Sequence, residues 1–175
     1  MKRGGKWRKV VRNGLNGTFK DAAQGASWEI ESVAGFVGRY EHTLDIKGRV
    51  ILPAKFRAHF EKGGYLAQHP EGCLALWTPG EFDRQMAVMQ EKAESGRANR
   101  NRARLWASSS HEVEIDRQGR MAIPAHLRGF AGLENDVLVH GAIDRVELWN
   151  PTAWTERVLP EENWLLNDDD ETEGK

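Results

Sequence analysis

The chain of 175 residues has a single cysteine, Cys73, and no stretch approaching the roughly 18 to 20 apolar residues that a membrane-crossing helix needs. One thiol makes no intramolecular disulfide, and Cys73 reads as lacking His or Cys partners, a poor start for a metal site. The basic N-terminus is not followed by the apolar run of a secretory signal, so a cytoplasmic protein without a membrane partner is expected. An excess of either charge is also missing. With 25 Lys and Arg against 26 Asp and Glu the net charge is −1, which at face value argues against a uniformly basic nucleic-acid binder.

Catalytic signatures are absent as well. His42, His59, His69, His111, His126 and His140 show no metal spacing such as His-x-x-x-His, and Ser108 to Ser110 lack a Gly-x-Ser-x-Gly elbow. No Gly-x-x-x-x-Gly-Lys phosphate loop occurs. The expectation is a protein that is not an enzyme, with no catalytic residues, no metal, no cofactor and no small-molecule substrate.

What is present is unevenly placed charge. Lys2, Arg3, Lys6, Arg8, Lys9, Arg12 and Lys20 stand in the first 20 residues without an acid among them, whereas Glu161, Glu162, Asp168, Asp169, Asp170, Glu171 and Glu173 crowd the end. Like-charge blocks repel and favour disorder. Residues 36 to 160 balance 17 basic against 16 acidic side chains and hold nearly all of the aliphatic pattern, so the folded part is expected there.

That middle is duplicated. Asp45-Ile46-Lys47-Gly48-Arg49-Val50-Ile51-Leu52-Pro53-Ala54-Lys55-Phe56-Arg57 aligns without gaps, 71 residues on, with Asp116-Arg117-Gln118-Gly119-Arg120-Met121-Ala122-Ile123-Pro124-Ala125-His126-Leu127-Arg128. Leu76-Trp77-Thr78-Pro79 then matches Leu148-Trp149-Asn150-Pro151 at an offset of 72, and Phe82 corresponds to Trp154.

Each copy reads alike. Tyr40, His42 and Leu44 alternate with Glu41 and Thr43 as a strand does, and Glu112 to Asp116 repeats the pattern with Val113 and Ile115 apolar. The Asp-x-x-Gly-Arg stretch is a tight turn: Gly48 and Gly119 accept positive φ, while Asp45 and Asp116 accept hydrogen bonds from turn amides. Short apolar runs follow, Val50 to Leu52 and Met121 to Ile123, and Pro53 and Pro124 are expected at the first position of a short helix. Two further strands are expected at Tyr65 to Ala67 and Leu74 to Trp77, and at Val137 to Val139 and Val146 to Trp149. A helix then follows each Trp-x-Pro, with Phe82, Met86 and Met89 as the inner face of the first. A unit of about 45 residues rarely buries enough apolar area alone, so the two copies should share one core. Trp77 and Trp149 are expected as repeat-core residues rather than base-stacking platforms, and Leu105 and Trp106 in core or subunit packing.

The paired Asp-x-x-Gly-Arg turns, each followed by apolar-x-apolar-Pro-Ala-x-apolar-Arg, resemble the MraZ family of bacterial transcriptional regulators. Gly38 to Asp45 looks like the family's opening and Glu147-Leu148-Trp149 before Pro151 like the close of its second repeat, so the resemblance spans roughly residues 36 to 158. It implies an α+β, β-rich fold: a swapped-hairpin, AbrB-like barrel built from two internal repeats with flanking helices. It also implies a homo-oligomeric ring that binds double-stranded DNA at short G-rich direct repeats upstream of its own gene in the division and cell-wall cluster. In these terms residues 1–35 form a disordered basic extension, 39–82 the first repeat, 83–109 a helical connector, 110–154 the second repeat, and 155–175 a helical end with an acidic disordered tail.

The family's DNA contacts carry over onto Asp45 to Arg49 and Asp116 to Arg120. A guanidinium can grip guanine O6 and N7 together, which places base reading on Arg49 and Arg120; the plainer alternative is that each merely pairs with the Asp four residues earlier. Lys47, Gln118 and Arg117 flank the turns and are candidates for phosphate or base contact, against simple solvation. Asp45, Gly48, Asp116 and Gly119 orient the turns. Lysine at 47 faces neutral glutamine at 118, so the two turns are not equivalent readers. Arg57 and Arg128 fall on a phosphate or on their own helices, the structural role being favoured, and Arg97, Arg100 and Arg104 share one face of a helix that meets DNA, a neighbouring subunit or water. A repressor, cytoplasmic and nucleoid-associated, is the reading this supports; an AbrB-type antitoxin and a non-DNA assembly protein are the alternatives.

The first 32 residues have no counterpart in the resemblance. They read either as a basic arm that tracks phosphates or as translated operator. Trp is encoded only by TGG and Gly codons begin GG, so Lys6 to Gly14 is encodable by G-rich repeats; on that reading the native start lies near Val33.

Overall fold

A computed structural model of the chain describes residues 35–163; the expected basic extension up to residue 34 and the acidic tail from residue 164 lie outside the described residues. The first repeat runs β1 (Arg39–Thr43), β2 (Arg49–Ile51), α1 (Ala54–Arg57) with a 3-10 turn over Ala58–Phe60, β3 (Gly64–Gln68) and β4 (Leu74–Trp77). Two helices follow, α2 (Pro79–Glu94) and α3 (Arg97–Ser109). The second repeat gives β5 (His111–Val113), β6 (Arg120–Ala122), α4 (Ala125–Ala131), β7 (Asp136–Gly141), β8 (Val146–Trp149) and α5 (Pro151–Arg157), the last leading into a 3-10 turn at Leu159–Asn163. The fold is α+β, with antiparallel strand pairs throughout.

The repeats are interlocked through their strands. A six-stranded sheet has the order β1-β7-β8-β4-β3-β5, and β2 pairs with β6 as a separate ribbon. Thus β1 of the first repeat pairs with β7 of the second, from Arg39↔His140 to Thr43↔Asp136, and β5 of the second pairs with β3 of the first. Neither repeat completes its sheet alone. Two registers are centred on equivalent residues, Val50↔Met121 in the ribbon and Ala75↔Glu147 between β4 and β8, which is the signature of a local two-fold axis between the repeats.

The strand order has two ends, β1 and β5, so no closed barrel is formed among the described residues. The cause lies at the Asp-x-x-Gly-Arg turns, where β2 and β6 leave the sheet and pair with each other. An isolated bridge, Ile115 to Met121, and the bond Asp116 N to Arg120 O tie the ribbon back to the segment after β5.

One core lies between sheet, ribbon and short helices. Val50, Leu52, Phe56, Phe60, Leu66 and Leu76 come from the first repeat, and Met121, Ile123, Leu127, Val139 and Leu148 from the second, each at most 3 % exposed. The outer face of the sheet carries two smaller clusters. Trp77 packs with Ala67, Ala75, Phe82 and Trp106 under α2 and α3; Trp149 packs with Cys73 and Leu138 beneath Trp154 of α5. The two tryptophans are therefore packing residues, covered on the outer side of the sheet.

Four local expectations change. Pro53 and Pro124 are N-caps with extended ψ of 136° and 142°, one residue ahead of the first helical position; the missing N–H is equally harmless there, and their carbonyls accept from Phe56 and Leu127. Met86 is 48 % exposed. The covered stripe of α2 runs Phe82, Gln85, Met89, Ala93, a narrow seam against one partner helix, and Met86 lies beside it. Of the two places expected for Leu105 the core is excluded, since it is 68 % exposed next to buried Trp106 where α3 turns only one side to the sheet. Cys73 does have a histidine neighbour, since the β3–β4 turn folds His69 back on it through the bond His69 N to Cys73 O at 2.9 Å.

Candidate nucleic-acid interface

Both Asp-x-x-Gly-Arg turns close by the same bonds. In the first, the Gly48 amide donates to Asp45 O at 2.8 Å and the Asp45 amide to Arg49 O at 2.9 Å; in the second, Gly119 donates to Asp116 O at 2.8 Å and Asp116 to Arg120 O at 3.0 Å. Gly48 and Gly119 have φ of 70° and 80°, the left-handed region in which a side chain is strained. Asp45 Oδ1 accepts the amides of Lys47 and Arg49 at 2.9 and 3.0 Å, and Asp116 Oδ1 those of Gln118 and Arg120, both at 2.9 Å. These Asx-type bonds fix the turn from within.

The second carboxylate oxygen holds the arginine. Arg49 Nε and Nη2 both lie 2.7 Å from Asp45 Oδ2, and Arg120 Nε donates to Asp116 Oδ2 at 2.7 Å. The Arg49 side chain is 27 % exposed and that of Arg120 33 %. Each fork is thus steadied along its Nε edge, and among the described residues nothing accepts from Nη1. The same bonds act on the acids: the Arg49 side chain, then its amide, hold the Asp45 carboxyl down to about 2, and the amide of Arg120 leads the lowering of Asp116.

The ribbon sets the distance between the two arginines. Val50 and Met121 point into the core, so Arg49, Ile51, Arg120 and Ala122 line its outer face, with Arg49 opposite Ala122 and Arg120 opposite Ile51. That diagonal separates the two arginine backbones by about 8 Å and sends the two turns off opposite ends of the ribbon.

Lys47, Gln118 and Arg117 are exposed at the turn tips, as expected of groups available to a partner. Ile46, aligned with Arg117, is fully exposed, and sequence reading did not single it out; its pairing with a charged residue in the other copy was the available signal. Arg57 and Arg128 act across the repeats. Arg57 Nε donates to Leu52 O at 2.8 Å and Arg128 Nε to Ile123 O at 3.2 Å, while the Arg57 guanidinium lies against Gly119 and that of Arg128 against Gly48. Backbone bonds complete the exchange, Leu52 N to Gly119 O at 2.7 Å and Ile123 N to Gly48 O at 3.0 Å. Each turn is therefore built by both repeats. The arginines of α3 stand apart: Arg97, Arg100, Arg102 and Arg104 are exposed, Arg102 and Arg104 donate to Asn99 and Asn101, and among the described residues no hydrogen bond or ion pair joins them to either turn.

The sequence matches a known family. The profile of the family described as "MraZ protein, putative antitoxin-like" matches residues 36–105 and again 107–171. A protein named Transcriptional regulator MraZ from Kocuria rhizophila is 39% identical over 127 residues, 73% of this chain and 89% of that protein. Another of the same name, from Arthrobacter sp. (strain FB24), is 37% identical over 139 residues, 79% of this chain and 98% of the relative. A third, from Frankia alni, is 40% identical over 119 residues, 68% of this chain and 83% of its own length. Two interlocked repeats, two matching turns and relatives aligned along most of their length make this chain a member of the MraZ family.

Proposed function

We propose that the protein is a DNA-binding transcriptional regulator that reads guanine through Arg49 and Arg120. The observation that carries this reading is the identical Asp clamp in both turns. An exposed Asp–Arg pair contributes only about 0 to 1 kcal/mol to stability, a weak return for four residues repeated in register. A fork already held still loses less entropy on meeting guanine O6 and N7, where a bidentate contact gives about 1 to 3 kcal/mol of base discrimination. Lys47, Gln118 and Arg117 contact phosphates or neighbouring bases, and Asp45, Gly48, Asp116 and Gly119 keep the turns in shape.

The exchange of strands between the repeats is read as an AbrB-like swapped hairpin, with residues 39–82 and 110–154 as the repeats, 83–109 as the connector and 155–175 as the end and tail. The target is short G-rich direct repeats ahead of the division and cell-wall cluster, including the protein's own gene, and the effect is repression in the cytoplasm at the nucleoid. One chain offers two turns, so useful affinity comes from a homo-oligomer, ring-shaped in this reading, engaging several repeats at once.

Fluorescence anisotropy of labelled upstream DNA at stated salt tests the assignment, comparing wild type with Arg49→Ala/Arg120→Ala. The double variant should bind at least about thirtyfold more weakly, from two contacts of about 1 to 3 kcal/mol each. Equal affinity with an unchanged salt slope would make the turns mere structure and favour a non-DNA assembly protein. A second reading, an AbrB-type antitoxin, draws on the antitoxin-like wording of the family description. It predicts a tightly bound partner protein on purification and no preference for the upstream DNA.

A further inference from the structure

A cluster of coordinating side chains lies away from both turns, on the outer face of the sheet. One ring nitrogen of His69, the sulfur of Cys73 and a carboxylate oxygen of Glu147 all fall within 4.8 Å of one another. Cys73 is fully buried and Glu147 is 4 % exposed. His69 and Cys73 are brought face to face by the β3–β4 turn, and Glu147 reaches them from β8, next to β4 in the sheet.

The surroundings resemble the outer shell that orients ligands in metal sites. Arg145 Nε and Nη2 both approach Glu147 Oε1 at 2.7 Å, and the Trp149 indole N–H donates to Oε2 at 2.8 Å. The carboxylate is thereby fixed in position from both sides. One ring nitrogen is left over. Among the described residues His69 Nδ1 is buried with no hydrogen-bond partner, a costly arrangement in a protein interior. His140 Nε2 stands 3.2 Å from Glu147 Oε2, beside the cluster without belonging to it.

We propose that His69, Cys73 and Glu147 bind a single zinc-class cation, with the fourth position taken by a water that His140 contacts. Imidazole, thiolate and carboxylate together suit a borderline-soft divalent ion. Binding exchanges the Cys73 proton for the cation, so Cys73 and Glu147 supply two negative charges against its two positive ones, with Arg145 paired to the outer carboxylate oxygen. The donor atoms need to close by about an ångström to reach bonding distances. The cation would join the β3–β4 turn to β8 where α5 already grips that turn, through the bond Arg157 Nη1 to Glu71 O at 2.7 Å. The site is therefore structural, and stands independently of the DNA reading.

The test is titration of the full-length, reduced, chelator-stripped protein with cobalt(II). One equivalent should bind and produce thiolate-to-cobalt charge transfer in the near ultraviolet with the intense visible bands of a tetrahedral ion. Because Cys73 is the only cysteine in the chain, such a band can arise from no other residue. Zinc(II) should displace the cobalt, raise Tm and slow alkylation of Cys73. His69→Gln should weaken cobalt binding by about tenfold or more while keeping a cooperative melt. Absence of the charge-transfer band at one equivalent, an alkylation rate indifferent to zinc, or unchanged cobalt affinity in H69Q would each overturn the proposal.

Discussion

The Arg57 guanidinium lies against Gly119, so that a side-chain carbon at Gly119 would collide with Arg57 Nε, and Arg128 stands in the same relation to Gly48. Each turn is roofed by an arginine of the other repeat. Gly119→Ala thus meets two obstacles, a φ of 80° and an occupied space. It should destabilise the protein by about 1 to 3 kcal/mol and loosen the second turn. Gly80, exposed in α2 with nothing within 4 Å of an added carbon, is the control, and Gly80→Ala should be neutral or stabilising by up to about 1 kcal/mol. Urea unfolding of both variants checks the contrast.

The turns differ in charge at equivalent exposed positions, Lys47 against Gln118. If Lys47 meets a phosphate, Lys47→Ala should lower the slope of log K against log salt by about 0.9, and Gln118→Ala should leave it unchanged. Anisotropy across a salt series measures both slopes.

Acid should loosen the first turn over a defined window. The Asp45 carboxyl is held at about 2, below its ordinary 3.8, so the folded state binds the proton less readily than the unfolded one. The resulting stability is fully present above the ordinary value and is lost as pH falls through about 2. Asp116 is displaced in the same direction. The stability difference between wild type and Asp45→Asn should be constant above about pH 4 and shrink below it. Urea midpoints from pH 2 to 6 show whether it does.

Trp106 anchors α3, stacking on Phe82 at 5.2 Å and meeting Trp77 edge-on at 6.1 Å. Trp106→Ala should cost about 3 to 5 kcal/mol. Because neither turn touches this cluster, the folded fraction should retain wild-type DNA affinity, which anisotropy below the melting range tests.

The duplication made much of this fold legible. The turns, the strands Leu74 to Trp77 and Val146 to Trp149, and the shared core follow from alternation and from Asp, Gly and Pro at fixed spacing. What stayed hidden depends on contacts between distant segments. That Arg57 serves Gly119 is unreadable in either repeat alone, because each shows only an arginine one turn past a proline. Met86 looked inward because periodicity places it beside Phe82 and Met89, yet the width of the covered stripe is set by the neighbouring helix. That Glu147 reaches His69 and Cys73 is equally unreadable, because it arrives from the other repeat across the β4–β8 pairing.

On the DNA reading proposed above, the register centred on Val50 and Met121 bears on how an operator can be written. A chain whose two readers are related by a two-fold axis is matched to a sequence and its reverse complement. Direct repeats all run the same way. A chain of this symmetry facing such an operator can offer only one of its turns in the correct polarity to each repeat. The spacing of repeats then has to be matched by the step from one chain to the next, and not by the width of a single chain.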